Sequence, residues 1–192
     1  GTKIGCREGD CGACTVLEGR YENGRISYKS IVSCLTPLGN AHGKHIVTIE
    51  GLNMEWLSPV QQAFADHNAT QCGFCTPGFV VALTGHSLSD GAGEESAAIA
   101  SMSGNICRCT GYKSIERAAI SISRLLAEKS PSKPLDWLVE QKFLPAYFLG
   151  IGEMLKNLLA ELEQQPLKTA PGQKKTIFGG GTDLMVQRPE KI

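Results

Sequence analysis

The pattern of apolar and polar positions changes character near Asn53. Before that point the apolar residues come in short β-branched runs. Residues 26–35 (ISYKSIVSCL) and 45–51 (HIVTIEG) each predict a strand, and Pro37, Gly39 and Gly43 between them predict a connecting loop. Cys34 then falls at the end of the first strand. After Asn53 the apolar positions take on a helical period. Ser58-Pro59-Val60-Gln61 combines an N-cap serine, a proline in the first turn and a capping-box glutamine, which predicts a helix to about Asn68. Thr76-Pro77 repeats the device and opens a second helix over 77–86. A third is expected over 94–102. A fourth is expected over 113–128, where Ile115, Ala118, Ala119, Ile122, Leu125 and Leu126 share one face. The prolines and small polar residues of 130–134 break the pattern and predict a linker. An apolar helix-like stretch over 154–162 and a strand at 176–178 follow it. Strands first and helices afterwards give an α+β class.

Composition narrows the function classes. The 192 residues are 42% hydrophobic and 20% charged, with 19 basic against 19 acidic side chains. A balanced charge without a basic stripe argues against a nucleic-acid partner. No apolar run approaches the length of a membrane span, so no membrane association is expected within the sequence.

The eight cysteines carry the chemistry. Cys6, Cys11, Cys14 and Cys34 are spaced C-x4-C-x2-C-x19-C, the plant-ferredoxin pattern for a [2Fe-2S] cluster. Gly5, Gly9 and Gly12 make the stretch around the first three a coiled loop, able to wrap an inorganic core and turn backbone amides toward the sulfurs. Cys72, Cys75, Cys107 and Cys109 form a second set, C-x2-C-x31-C-x-C. Read alone, that set also suits a zinc site of four thiolates, and eight cysteines could in principle form disulfides. The chain lacks the shortness and cysteine density of a disulfide scaffold, and thiolate ligands fit a reducing cytoplasm.

The residues around the cysteines are more specific than the spacing. Gly1-Thr2-Lys3-Ile4-Gly5-Cys6, Gly9-Asp10-Cys11-Gly12-Ala13-Cys14-Thr15-Val16, Gln71-Cys72-Gly73-Phe74-Cys75-Thr76-Pro77-Gly78 and Asn105-Ile106-Cys107-Arg108-Cys109-Thr110-Gly111-Tyr112 resemble the iron–sulfur part of the xanthine oxidase family of molybdenum hydroxylases. The likeness covers residues 1–128. A further segment, Ile177-Phe178-Gly179-Gly180-Gly181-Thr182-Asp183-Leu184, resembles the first pyrophosphate-binding loop of the family's FAD domain, although alone it equally suits a flexible loop.

The resemblance implies an organisation and a function. A ferredoxin-like β-grasp [2Fe-2S] domain, N-terminally truncated, is expected over 1–53, and a four-helix-bundle [2Fe-2S] domain over 54–129. A linker over 130–144 then leads to the start of an α/β FAD-binding domain over 145–192. On this reading the chain is a fragment cut at both ends, and its order resembles the small subunit of bacterial members of the family. Electrons from a molybdenum–pterin cofactor in a large partner subunit would pass to the second cluster, the first cluster, FAD, and then NAD+ or oxygen. The resemblance also places Gln71 and Cys109 beside the pterin; by itself Gln71 is equally a loop amide. None of the chain's residues is expected to act as a catalytic acid or base, because the cofactors carry the bond chemistry.

Other residues support less. His42, His45, His67 and His86 lack metal-binding spacing and are expected to pack or face solvent. Arg7 stands in the first loop where many relatives have glycine, and its charge is expected to raise the first cluster's potential. Two readings from other classes are a stand-alone [2Fe-2S] electron carrier and a zinc-stabilised interaction module.

Overall fold

In the computed structural model, which describes residues 1–164 and 179–189, a small sheet sits beside a group of helices. The strands are β1 (Thr15–Glu22), β2 (Arg25–Val32) and β3 (His45–Val47), all antiparallel, in the order β2-β1-β3. Asn23-Gly24 closes the β1–β2 hairpin with both residues at positive φ, 52° and 80°. That is the two-residue turn whose twist suits flanking strands.

β1 is an addition to the strands expected from the sequence. The two expected strands do not neighbour each other; they flank β1 on either side. Cys34 is also displaced from its expected place: β2 ends at Val32, and Cys34 sits in a 3-10 turn, Ser33–Leu35. The ladder stops there because Ser33 turns both its N–H (3.3 Å) and its hydroxyl (2.8 Å) onto the Cys14 carbonyl. The Thr36 hydroxyl takes the Val32 carbonyl at 3.0 Å. The strand expected over 45–51 likewise stops at Val47 and gives way to a 3-10 turn, Ile49–Leu52.

The central strand is buried on both faces through Thr15–Gly19. Its Glu18 carboxylate, almost sealed from solvent, is paired with Arg20 at 2.6 Å and Lys44 at 2.8 Å. Burial alone would raise its pKa, but the two cations outweigh it and hold the group below the ordinary carboxylate value.

The helices follow the expected order. They are α1 (Pro59–Asp66), α2 (Thr76–Ser87), α3 (Glu95–Ala100) and α4 (Lys113–Leu126). The capping box at Ser58 forms: its hydroxyl accepts from Gln61 N at 3.2 Å, and Gln61 Oε1 accepts from Ser58 N at 2.8 Å. On α4 the expected face packs inward, with Ile115, Ala118, Ala119, Ile122 and Leu126 buried, while Leu125 stays half exposed. α2 is buried nearly all round and lies against β1, where Gly85 leaves room for Leu17.

The segment expected as a linker carries α5 (Pro134–Glu140), and Leu138, Phe143, Leu144 and Phe148 are buried. Tyr147 fastens the next turn by donating to the Gly51 carbonyl at 3.0 Å. α6 (Ile151–Gln164) covers the apolar stretch expected over 154–162 and contacts β1, and α7 (Thr182–Gln187) is the last element. The strand expected at 176–178 lies outside the described residues. Among the described residues, no helix is long and apolar enough to cross a membrane.

Two of the histidines serve packing. His45 Nδ1 is 2.8 Å from the Tyr28 hydroxyl, and His86 Nε2 is 3.0 Å from the Ala92 carbonyl. Burial lowers the pKa of both, and the Lys129 ammonium lowers that of His86 further. A histidine depressed in the fold takes up its proton first in the unfolded chain. Its contribution is therefore whole above about pH 6.5 and is lost as pH falls from there toward the folded value. Thermal melts are expected to show the midpoint dropping between pH 7 and pH 5.5, and dropping less in His86→Gln. Equal slopes for the two proteins would rule out the His86 contribution.

Candidate metal centres

The first quartet is assembled by the hairpin. Cys6, Cys11 and Cys14 lie in the irregular loop before β1, and Cys34 lies just past β2. Because Thr15 pairs with Val32, the two strand ends are level and the distant fourth cysteine arrives beside Cys14.

The loop turns its amides inward. Glu8 N lies 3.4 Å from Cys6 Sγ. Amides of Glu8, Cys11 and Asp10 hold the Cys6 thiol down to about 6, a value at which it is largely thiolate at neutral pH. Cys34 behaves oppositely: burial and its neighbour Cys14 push it up to about 11, against a hydrogen bond from Gly9. Gly9 and Gly12 take positive φ as expected, whereas Gly5 does not. Arg7, at φ 60°, is a left-handed non-glycine position in the same loop.

The second quartet sits at two helix starts. Cys75 is the N-cap of α2, with Cys72 just before it, and Cys107 and Cys109 precede α4. The positive end of α2 therefore bears on Cys75 and favours its thiolate form. The four thiols form two pairs. Cys72 and Cys109 are exposed, with their sulfurs 3.6 Å apart, while Cys75 and Cys107 face each other further inside. Burial and Cys107 push Cys75 up to about 12. Burial acts the same way on Cys107, but hydrogen bonds from Thr110 and Cys109 outweigh it and keep this thiol below its ordinary value.

The donor set can be tested against the metals that spacing alone left open. The eight cysteines are unpaired by disulfides in this structure, and even the facing sulfurs of Cys72 and Cys109 stand 3.6 Å apart. A tetrahedral zinc with bonds of about 2.3 Å draws all four sulfurs around one point. Two pairs of soft donors instead match a binuclear iron–sulfide core, where each iron takes two thiolates. The first quartet pairs alike, Cys6 with Cys11 and Cys14 with Cys34, so both quartets fit that group.

The two quartets also touch. Ile106 N donates to the Cys11 carbonyl at 2.9 Å, joining the neighbour of Cys107 to Cys11. Asn105, buried beside it, donates from Nδ2 to the Gly12 carbonyl at 2.9 Å and lies 3.3 Å from Thr15 Oγ1. The approach is so close that a Cβ on Gly78 would lie 2.3 Å from the Gly12 oxygen. Sequence reasoning gave Asn105 and Gly78 no such role, since they face each other only in the folded chain.

The remaining expected residues are placed as follows. Gln71 is exposed next to Cys72. Of the segment expected as an FAD loop, Ile177 and Phe178 lie outside the described residues. Gly179 and Gly180 are exposed, Gly181 has φ 82°, and Thr182, Asp183 and Leu184 begin α7. This short helix packs against the 3-10 turn that carries Cys34.

Comparison with known proteins agrees with this geometry. A model for [2Fe-2S] binding domains matches residues 48–120. Xanthine dehydrogenase of Blastobotrys adeninivorans is 45% identical over 127 residues, 64% of this chain and 9% of that protein. The nicotine 6-hydroxylase small subunit of Paenarthrobacter nicotinovorans is 38% identical over 130 residues, 68% of this chain and 74% of that subunit. Quinoline 2-oxidoreductase of Pseudomonas putida 86 superposes with a TM-score of 0.56 at 38% identity, covering 66% of this chain and 75% of that one. The chain thus spans about a tenth of the length of the xanthine dehydrogenases and aldehyde oxidases it matches.

Proposed function

Because this chain belongs to the xanthine oxidase family of molybdenum hydroxylases, as an iron–sulfur electron-transfer part, we propose that it serves a xanthine dehydrogenase, relaying electrons from molybdenum to FAD and then NAD+. The observation that carries the relay is the 2.9 Å hydrogen bond from Ile106 N to the Cys11 carbonyl, which links the two quartets by a short bonded path. When bound, two [2Fe-2S] clusters supply one-electron steps between the two-electron chemistry of molybdenum and flavin.

The chain's own residues do the holding and aligning. Cys72, Cys75, Cys107 and Cys109 hold the centre nearer the molybdenum subunit. Their exposed pair, with Gln71 beside it, faces outward where a pterin in that subunit would lie. Cys6, Cys11, Cys14 and Cys34 hold the centre nearer the flavin. Residues 177–184 would cradle the FAD pyrophosphate, a reading supported by the packing of α7 against the turn of Cys34. Asn105 and Gly78 fix the two loops against each other. A cytoplasmic location follows from the thiolate ligands.

A second reading makes the chain the iron–sulfur subunit of an N-heterocycle or aldehyde hydroxylase. It is favoured by the nicotine 6-hydroxylase small subunit, three quarters of whose length this chain spans. Assay of the assembled complex against purines, aldehydes and N-heterocycles separates the two.

The relay itself is tested by freeze-quench electron paramagnetic resonance of the assembled complex after substrate addition. Two distinct cluster signals are expected, with flavin reduced in the same turnover. Flavin reduction in a complex lacking one of the signals would sink the relay.

A further inference from the structure

We propose that Thr110 raises the reduction potential of the second centre by donating a hydrogen bond to the thiolate sulfur of Cys107. The inference rests on the reading that this quartet holds a [2Fe-2S] cluster. Thr110 Oγ1 lies 3.2 Å from Cys107 Sγ. Among the described residues it is the one hydroxyl bonded to a cysteine sulfur.

The direction of that bond is set by a closed ring. Tyr112 N donates to Thr110 Oγ1 at 3.3 Å, so the hydroxyl oxygen is already accepting. Its single hydrogen is left for the sulfur. Cys107 N in turn donates to the Tyr112 hydroxyl at 3.0 Å, completing the loop from Cys107 through Thr110 and Tyr112 back to Cys107.

The backbone is bent to make this possible. Gly111 and Tyr112 take consecutive left-handed conformations, φ 64° and 66°. A tyrosine rarely adopts that region, and here it returns the aromatic hydroxyl to the Cys107 amide while α4 begins at the next residue.

The chemistry then follows from charge. Cys107 is 5% exposed, so water cannot readily replace the threonine, and a hydrogen bond in such surroundings is electrostatically stronger than one in water. Reduction adds negative charge to the cluster and its sulfurs. A fixed donor stabilises that form more than the oxidised one, which raises the potential. Among the hydrogen bonds of the described residues, no hydroxyl donates to Cys72 or Cys109, the exposed pair.

The test uses the full-length protein with its clusters loaded, as wild type, Thr110→Val and Thr110→Ser. Redox titration is followed by electron paramagnetic resonance, which reads each centre by its own signal. In Thr110→Val the second centre is expected to shift to more negative potential. Its reduced-to-oxidised ratio at the wild-type midpoint should fall several-fold, a tenfold change corresponding to about 59 mV. Thr110→Ser should return it toward wild type, and the first centre should not move.

A measurement on the wild type covers the case in which Thr110→Val fails to assemble. Electron–nuclear double resonance on the second-centre signal should show, beyond the backbone amide protons, an exchangeable coupled proton that is present in wild type and Thr110→Ser and absent from Thr110→Ala. An unshifted midpoint in a fully loaded Thr110→Val, or no such proton in the wild type, overturns the proposal and leaves the iron–sulfur reading standing. Wild-type protein lacking iron and sulfide overturns that underlying reading instead.

Discussion

Gly78→Ala is expected to destabilise the protein by about 3 kcal/mol, the scale of an overpacked core. Helix propensity alone argues the other way, since alanine in place of glycine within a helix gains about 1 kcal/mol. Gly78 lies in the first turn of α2 at a helical φ, so no backbone strain favours glycine there. Space decides. The new Cβ would stand 2.3 Å from the Gly12 carbonyl oxygen and 2.9 Å from Asn105 Nδ2. Neither can yield cheaply: Gly12 is backbone of the first cluster loop, and Asn105 is buried and committed to that same carbonyl. The loops must separate, and the hydrogen bond from Ile106 N to Cys11 O should weaken with them. Gly104→Ala is the matched control, because a Cβ there meets nothing within 4 Å. Its effect should stay within about 0.5 kcal/mol. Chemical denaturation of both variants checks this, and a Gly78→Ala protein as stable as the control would mean that the two loops are not tightly docked.

The second large effect is expected at Cys75. This residue stands at the N-cap position of α2 without a side-chain capping bond and faces Cys107, which precedes α4, so the second quartet joins the approaches to two helices. Replacing a thiolate by a hydroxyl removes a soft ligand that an iron–sulfide core requires. Cys75→Ser should therefore lose the second centre altogether and about half of the iron and sulfide, with the first quartet left intact. The retained signal should be that of the ferredoxin-like centre. Since a bound metal cluster contributes folding free energy, the helical half should also melt at lower temperature. Retention of the full iron content would show that Cys75 is not a ligand.

Much of this was legible along the chain because it is local. The capping box at Ser58, the proline-led start of α2 and the inward face of α4 each depend on residues within a few positions of one another. The cysteine quartets were legible for another reason: their spacing is itself the signature. The central strand was not anticipated, although Asn23-Gly24 between two β-rich runs is a strong hairpin signal. Glu18, Gly19 and Arg20 masked it, because a buried carboxylate paired with a half-exposed arginine and a glycine covered by the Tyr28 ring do not look like strand interior in sequence. The position of Cys34 depended on Ser33 capturing the Cys14 carbonyl, a contact made only after the hairpin forms. The junction of Gly12, Gly78 and Asn105 was invisible for the same reason. It brings Gly12 against two residues far along the chain, and glycine carries no pattern from which a partner could be read.

The pairing of thiols rests on one chemical identity for both quartets, and the metal and sulfide content of the purified full-length protein tests it most directly. Two [2Fe-2S] clusters require about four irons and about four acid-labile sulfides per chain, with two separate signals on reduction. Zinc bound at either quartet, without the matching sulfide, would contradict it.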